Sequence, residues 1–222
     1  MRVNLISYTQ PVEGFTARYL GDAQDLIAYC ARVSNPTNQI NNETSEKLIR
    51  YLVKHQHWSP LEMVNAVLEI ETTRDIAHQI VRHRSFSFQE FSQRYADPDS
   101  MGDTFTTREA RLQDTKNRQN SIELSDESEL HYAWRDKQRE VIDKARAVYE
   151  WAIQNGIAKE QARVVLPEGN TKTKLYMNGT LRSWVHYIQL RGANGTQKEH
   201  MEIAHACADV ISKIFPLAKE LG

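Results

Sequence analysis

The stretch Gln79-Ile80-Val81-Arg82-His83-Arg84-Ser85-Phe86-Ser87-Phe88-Gln89-Glu90-Phe91-Ser92-Gln93-Arg94-Tyr95 decides how the rest of the chain is read. Arg82, His83 and Arg84 are consecutive, so no single helix face or strand face carries all of them. At least one must turn toward the core or a partner while the others point elsewhere. Guanidinium groups beside hydroxyls suit a phosphate or another anion. Phe86, Phe88 and Phe91 interleave with these polar residues.

Working upstream, Thr73 is placed to cap a helix through Ile76, Ala77, Ile80 and Val81, which delivers the arginines. Before it, Val64, Ala66, Leu68 and Ile70 alternate with Asn65, Val67, Glu69 and Glu71, the period of a strand. Ser59-Pro60-Leu61-Glu62 reads as a capping box that starts one short helical turn ahead of that strand. Met1 to Thr9 reads as a first strand. Helices are expected over Asp22–Ser34 and about Glu43–His55.

Downstream, residues 97–126 are polar and aperiodic. They predict a long loop excursion, partly mobile, of the kind that often serves as a lid. Leu130–Ile153 predicts a long helix with Trp134, Val141, Ile142, Ala145, Val148, Tyr149 and Ala152 inward, ended by Gly156. Lys159–Val165 predicts a helix, Lys172–Met177 a strand, and Thr180–Leu190 and Gln197–Leu221 two final helices. Strands and helices are mixed, so the class is α+β or α/β, with residues 1–222 as one domain.

Bulk properties narrow the chemistry. The net charge of −1 argues against a general nucleic-acid coat, so any basic site is local. No apolar run is long enough for a membrane span, and the first residues lack the apolar core of a signal peptide. Cys30 and Cys207 are far apart in apolar helical patterns and read as reduced, buried thiols of a cytoplasmic protein. Neither is a good candidate nucleophile. The spacings of His55 with His57 and of His78 with His83 match no zinc pattern, so no metal is expected. Glycine-rich phosphate loops are missing, which leaves phosphate binding to arginines: the opening stretch, Arg163, Arg182 and Arg191. Arg182 and Arg191, nine apart, are expected to face roughly the same half of one helix. Two other readings compete. A basic aromatic patch could bind single-stranded nucleic acid, and Glu62, Glu69 or Glu90 could hold magnesium in a hydrolase.

Arg82-His83-Arg84, seven residues, Ser92, one residue and Arg94 resemble the signature of the flavin-dependent thymidylate synthases. Ala31-Arg32-Val33-Ser34, the segment His55–Glu62, Arg163-Val164-Val165-Leu166-Pro167, and Arg182-Ser183-Trp184 with Leu190-Arg191 extend the similarity over most of the chain. The resemblance implies a mixed α/β domain with a mostly antiparallel central sheet, assembled as a homotetramer with active sites shared between subunits. It implies FAD as redox shuttle, NADPH as reductant, and 5,10-methylenetetrahydrofolate as carbon donor for dUMP becoming dTMP. Carried over by position, the flavin contacts are Ser59, Arg82, His83, Arg84, Glu90, Thr180, Leu181, Arg182 and His186, with Ser34 and Glu62 as weaker candidates. The dUMP contacts are Gln79, Arg82, Glu90, Ser92, Gln93, Arg94, Arg163 and Arg191. Arg191 is implied as the catalytic residue that polarises uracil, a role which suits a chain without a credible cysteine nucleophile. Gln93, Thr180 and His186 depart from residues common in that family.

Overall fold

The structure is a computed structural model, and it describes residues 1–15, 20–97, 102, 104–125 and 128–218. Strand β2 (Asn65–Thr73) organises it. Its alternation buries Ala66, Leu68 and Ile70 completely, because one face of the strand meets helices and the other does not. The four-stranded sheet runs in the order β1 (Arg2–Tyr8), β2, β6 (Lys172–Thr180), β3 (Ser87–Glu90), and every pairing is antiparallel. Leu68 faces Met177 and Ile70 faces Leu175 across the β2–β6 ladder.

Strand β6 continues past Met177 through Asn178-Gly179-Thr180, which pair with Val67, Ala66 and Asn65. Asn-Gly is a turn signature, but here the glycine makes room. A Cβ on Gly179 would lie 2.4 Å from the Phe86 ring. Phe86 packs in turn on Trp184, with ring centroids 4.8 Å apart.

Helices α1 (Ala23–Ala31), α2 (Ser45–Lys54), α6 (Leu181–Gly192) and α7 (Lys198–Ile211) supply the apolar side of the main core. Between the strands they cover runs α3 (Arg74–Ile80). Asp22 starts α1 by accepting hydrogen bonds from the N–H groups of Gln24 and Asp25. Trp184 is fully buried, and its indole N–H donates to the Ala66 carbonyl at 3.1 Å. The opposite sheet face is polar: Glu69 accepts from Asn4 and from the Tyr176 hydroxyl, both at 3.1 Å. A smaller core forms where Ile142, Tyr149 and Ala152 of α4 (Glu129–Gln154) meet Phe105, Leu166 and Ala162 of α5 (Lys159–Ala162).

Several expectations change. The described part of the 97–126 excursion is not a bare loop. It carries a hairpin, β4 (Arg111–Gln113) with β5 (Ser121–Glu123), and Phe105 bridges to Thr171. Strands of three residues are too short to show a period. Buried Gln138 of α4 clamps this segment from both sides: its carbonyl accepts from the Arg108 N–H and its amide donates to the Arg108 carbonyl, each at 2.8 Å. Residues 98–101, 103 and 126 of the excursion lie outside the described residues. Trp134 and Val141 are exposed rather than inward. Helix α7 stops at Ile211, ahead of Pro216, and the expected stretch from 219 onward is outside the described residues. Ser59 does not cap: it lies inside a 3-10 turn, Ser59–Met63, whose preceding residue is Trp58. Thr73 stands at the start of α3, yet its hydroxyl donates to Asp75 at 2.6 Å instead of capping the helix. Arg182 and Arg191 do not share a side of α6, because two and a half turns leave them half a turn apart; they pair with Glu62 and His83 respectively. Cys207 is fully buried, but Cys30 is only half-buried.

Candidate active site

Helix α3 ends at Ile80, and the chain turns through Val81–Ser85 into β3. That turn resolves the crowding of Arg82, His83 and Arg84. Arg82 and Arg84 point into solvent while His83 turns inward and is half-buried. Its ring stands edge-on to Tyr187, centroids 5.0 Å apart. Its Nε2 accepts from Nε of Arg191 at 2.9 Å, which leaves the ring proton on Nδ1. Burial, and then the Arg191 guanidinium, push the His83 pKa down to about 4, so the ring is neutral near pH 7.

Behind this pair lies Gln79, one helical turn before His83. Its carbonyl oxygen is 3.2 Å from Nδ1 of His200, and its amide donates to Oε1 of Gln197 at 2.8 Å. His200 is completely buried, with Nε2 3.1 Å from the Tyr187 hydroxyl. Burial, then Arg191 and His83, hold its pKa at about 3. Gln79, His83 and Arg191 are therefore brought together, on a floor of Tyr187 and His200.

A second group forms elsewhere. The Ser92 hydroxyl accepts from the Arg94 N–H at 3.4 Å. Arg94 is more than half exposed and lies 3.7 Å from Glu160. Arg163 donates to the Glu160 carbonyl at 3.4 Å, so Ser92, Arg94 and Arg163 share one corner. Between Ser92 and Arg94, the Gln93 side chain is buried, and its Nε2 has no hydrogen-bond partner among the described residues. Among those residues, no hydrogen bond or ion pair joins Arg94 or Arg163 to Gln79, His83 or Arg191.

Four of the expected flavin contacts, Thr180, Leu181, Arg182 and His186, make a third group along the first turns of α6, whereas Glu90 lies beside the other end of β6. Arg182 forms an ion pair with Glu62 of the Ser59–Met63 turn. His186 lies 4.4 Å from the Trp58 ring, and burial, then Arg182, lower its pKa. Thr180 caps α6, its hydroxyl accepting from the Ser183 N–H at 3.2 Å. Leu181 is fully buried, and its N–H donates to the Val64 carbonyl at 2.8 Å, so its side chain serves the core. Glu90 accepts from the Thr173 hydroxyl at 2.9 Å and sits 3.5 Å from Arg74. Ser34 lines an open groove with Thr44, Lys47 and Tyr51. Among the described residues there is no cluster of three or more metal-ligating side chains.

Sequence reasoning missed His200, Tyr187, Gln197 and Glu199. One signal was present: His200, Ile203, Ala204, Cys207 and Ile211 recur at helical spacing, which puts a histidine on a buried apolar stripe. A cavity of about 910 Å³ opens beside Gln197, lined by Arg108, Arg111, Trp134, Gln138 and Lys198 among others.

Known proteins share this arrangement of chain. In fold, it is similar to the UMP/dUMP methylase PolB of Streptomyces cacaoi, whose crystal structure holds 5-Br dUMP, with a TM-score of 0.80 at 23% identity over 99% of this chain and 93% of that one. In sequence, it is 48% identical to the "probable flavin-dependent thymidylate synthase" of Paramecium bursaria Chlorella virus 1, over 100% of this chain and 99% of that protein. It is 49% identical to the flavin-dependent thymidylate synthase of Synechocystis, over 97% and 96%. Residues 17–217 match the family described as thymidylate synthase complementing protein. The chain belongs to that family, the family of the flavin-dependent thymidylate synthases.

Proposed function

We propose that this protein converts dUMP to dTMP by FAD-dependent reductive methylation, with 5,10-methylenetetrahydrofolate as carbon donor and NADPH as reductant. The observation that carries this reading is the Arg191–His83 pair beside Gln79. Methylation at C5 of uracil needs electron density on that carbon. A thiolate adding at C6 would supply it, but burial pushes the thiol pKa of both Cys207 and Cys30 up, and Cys207 is fully buried. Arg191 offers the alternative. Its Nε is occupied by His83, which leaves both Nη groups to meet the carbonyl edge of the pyrimidine and favour the enolate-like form. His83 accepts without adding charge, so it aims the guanidinium instead of repelling it.

Ser92, Arg94 and Arg163 supply a hydroxyl and two guanidiniums suited to the nucleotide phosphate, and the buried Gln93 amide has a donor to spare. The donor set also fits FAD. Solvent-facing Arg82 and Arg84, together with Arg182, suit a pyrophosphate, while the Trp58–His186 pair offers ring surface. FAD, when bound, supplies the hydride chemistry that completes the methyl group. Ser59, Glu90, Thr180 and Leu181 are assigned to the flavin side, with Leu181 acting through its backbone.

Among the described residues no hydrogen bond or ion pair joins the uracil-facing group to the phosphate-facing group of one chain, an arrangement compatible with active sites assembled between copies of a homotetramer. Exposed Val141, Trp151 and Val164 are the apolar surface available for such contacts. The whole chain acts as one domain, works in the cytoplasm, and binds neither nucleic acid nor membrane; no helix among the described residues is long and apolar enough to cross a bilayer.

The test is direct. Purified protein should be yellow, release FAD on denaturation, and form dTMP from dUMP only with folate and reductant present. A colourless protein that also refuses added FAD would sink the reading.

A further inference from the structure

A hydrogen-bond chain runs through the floor of the site, and its direction is fixed by its end group. The Glu199 carboxylate can only accept. It accepts from Arg111 at Oε1 and from the Gln197 amide at Oε2, the latter at 2.9 Å. Gln197 must therefore turn its carbonyl to Gln79, whose amide donates to it at 2.8 Å. The Gln79 carbonyl is then the only group left to face His200, at 3.2 Å, so His200 must donate from Nδ1. Its Nε2 is left as an acceptor for the Tyr187 hydroxyl at 3.1 Å. His200 and Tyr187 are almost completely buried, so no water competes for the bond between them.

Among the described residues, the amide held this way keeps one N–H and one carbonyl lone pair free, in a set order. Uracil offers N3–H beside a carbonyl oxygen. Cytosine offers an unprotonated N3 beside an amino group, the same pair reversed. A freely turning glutamine would satisfy either base; a fixed one satisfies only one. We propose that Glu199 and His200 are positioning residues that lock the Gln79 amide in one orientation, so that the site selects the uracil edge over the cytosine edge. This rests on the reading that Gln79 faces the pyrimidine.

Two measurements on the flavin-loaded protein test it. Ring 15N resonances of His200 should report the Nδ1–H tautomer, without titration between about pH 6 and 8. Binding of dUMP and dCMP, compared by equilibrium dialysis, gives the selectivity. Glu199→Gln can donate as well as accept, so it should give mixed His200 tautomers and reduce the dUMP-to-dCMP affinity ratio by about tenfold. Gln197→Leu cuts the chain while keeping the Arg111–Glu199 pair, and should reduce the ratio similarly even if Glu199→Gln fails to fold. An Nε2–H tautomer in the natural protein, or an unchanged ratio in Gln197→Leu, overturns the proposal. Failure of the underlying reading looks different: the tautomer stands as expected, but the natural protein binds neither nucleotide, which removes the selectivity.

Discussion

The Arg191 corner and the Arg94 corner contain similar residue types but are built differently. In the first, Arg191, His83, Gln79, His200 and Tyr187 are tied together, and both histidines are kept neutral by burial and a nearby cation. In the second, Arg94 and Arg163 lean on one exposed glutamate, and the buried Gln93 amide has no partner among the described residues. Surface ion pairs of that kind contribute little, about 0–1 kcal/mol. The first corner is finished before any ligand arrives. The second, on the proposed reading, is completed by a ligand or a neighbouring copy.

The largest test of this contrast is Arg191→Ala. It should lower kcat by about 10²–10³-fold, the cost of losing one preorganised charge-stabilising donor, while melting temperature and flavin content stay near those of the natural protein. Steady-state assays and thermal melts check it; normal turnover would break the catalytic assignment. Next comes Arg163→Ala. Losing a charge-assisted hydrogen bond of about 1.5–3 kcal/mol should raise KM for dUMP by about 10–100-fold, with kcat and stability nearly unchanged. A fall in kcat alone would mean that this corner, too, acts on the reacting ring.

Acid should separate the corners next. His83 and His200 have pKa values of about 4 and about 3, below the ordinary histidine value of 6.5. The unfolded chain therefore takes up protons that the folded one refuses. Stability from these groups is complete above pH 6.5 and is lost as the pH falls toward 4 and below. Denaturant melts across that window should show the decline, and His83→Gln should flatten part of it. An unchanged slope would remove the neutral-histidine account. The smallest effect is expected from Gln93→Met. Replacing an unsatisfied buried amide by an apolar group of similar shape should leave the ligand-free protein equally stable or about 1 kcal/mol more stable, while weakening dUMP binding. Destabilisation would mean that the amide already has a partner.

The sequence exposed the backbone of this arrangement better than its floor. Strand β2 announced itself because one face is buried, so Ala66, Leu68 and Ile70 had to alternate. The run Arg82-His83-Arg84 showed that one side chain must turn inward, though not that it would be His83. The short β4 and β5 strands left no period to read, and the clamp that orders them comes from Gln138 in a distant helix. The Glu199-to-Tyr187 chain was equally hidden, since it joins α3, α6 and α7 through side chains whose spacing in sequence carries no signal. Even the Arg182–Arg191 pair misled: counting turns without their remainder put two opposed side chains together.

The double clamp of Gln138 on Arg108 also bears on how a protease would meet this chain. By composition, the segment after Asp97 invites trypsin at every basic residue. Yet Arg108 has both backbone groups bonded, and its side chain reaches the Thr73 hydroxyl and the Asp75 carboxylate, both at 2.7 Å. Arg111 lies in a strand and is paired with Glu199. Lys116 and Arg118 occupy the exposed tip of the hairpin. Limited digestion should open the chain at that tip and spare the base, leaving two fragments that stay associated through the intact helix contacts.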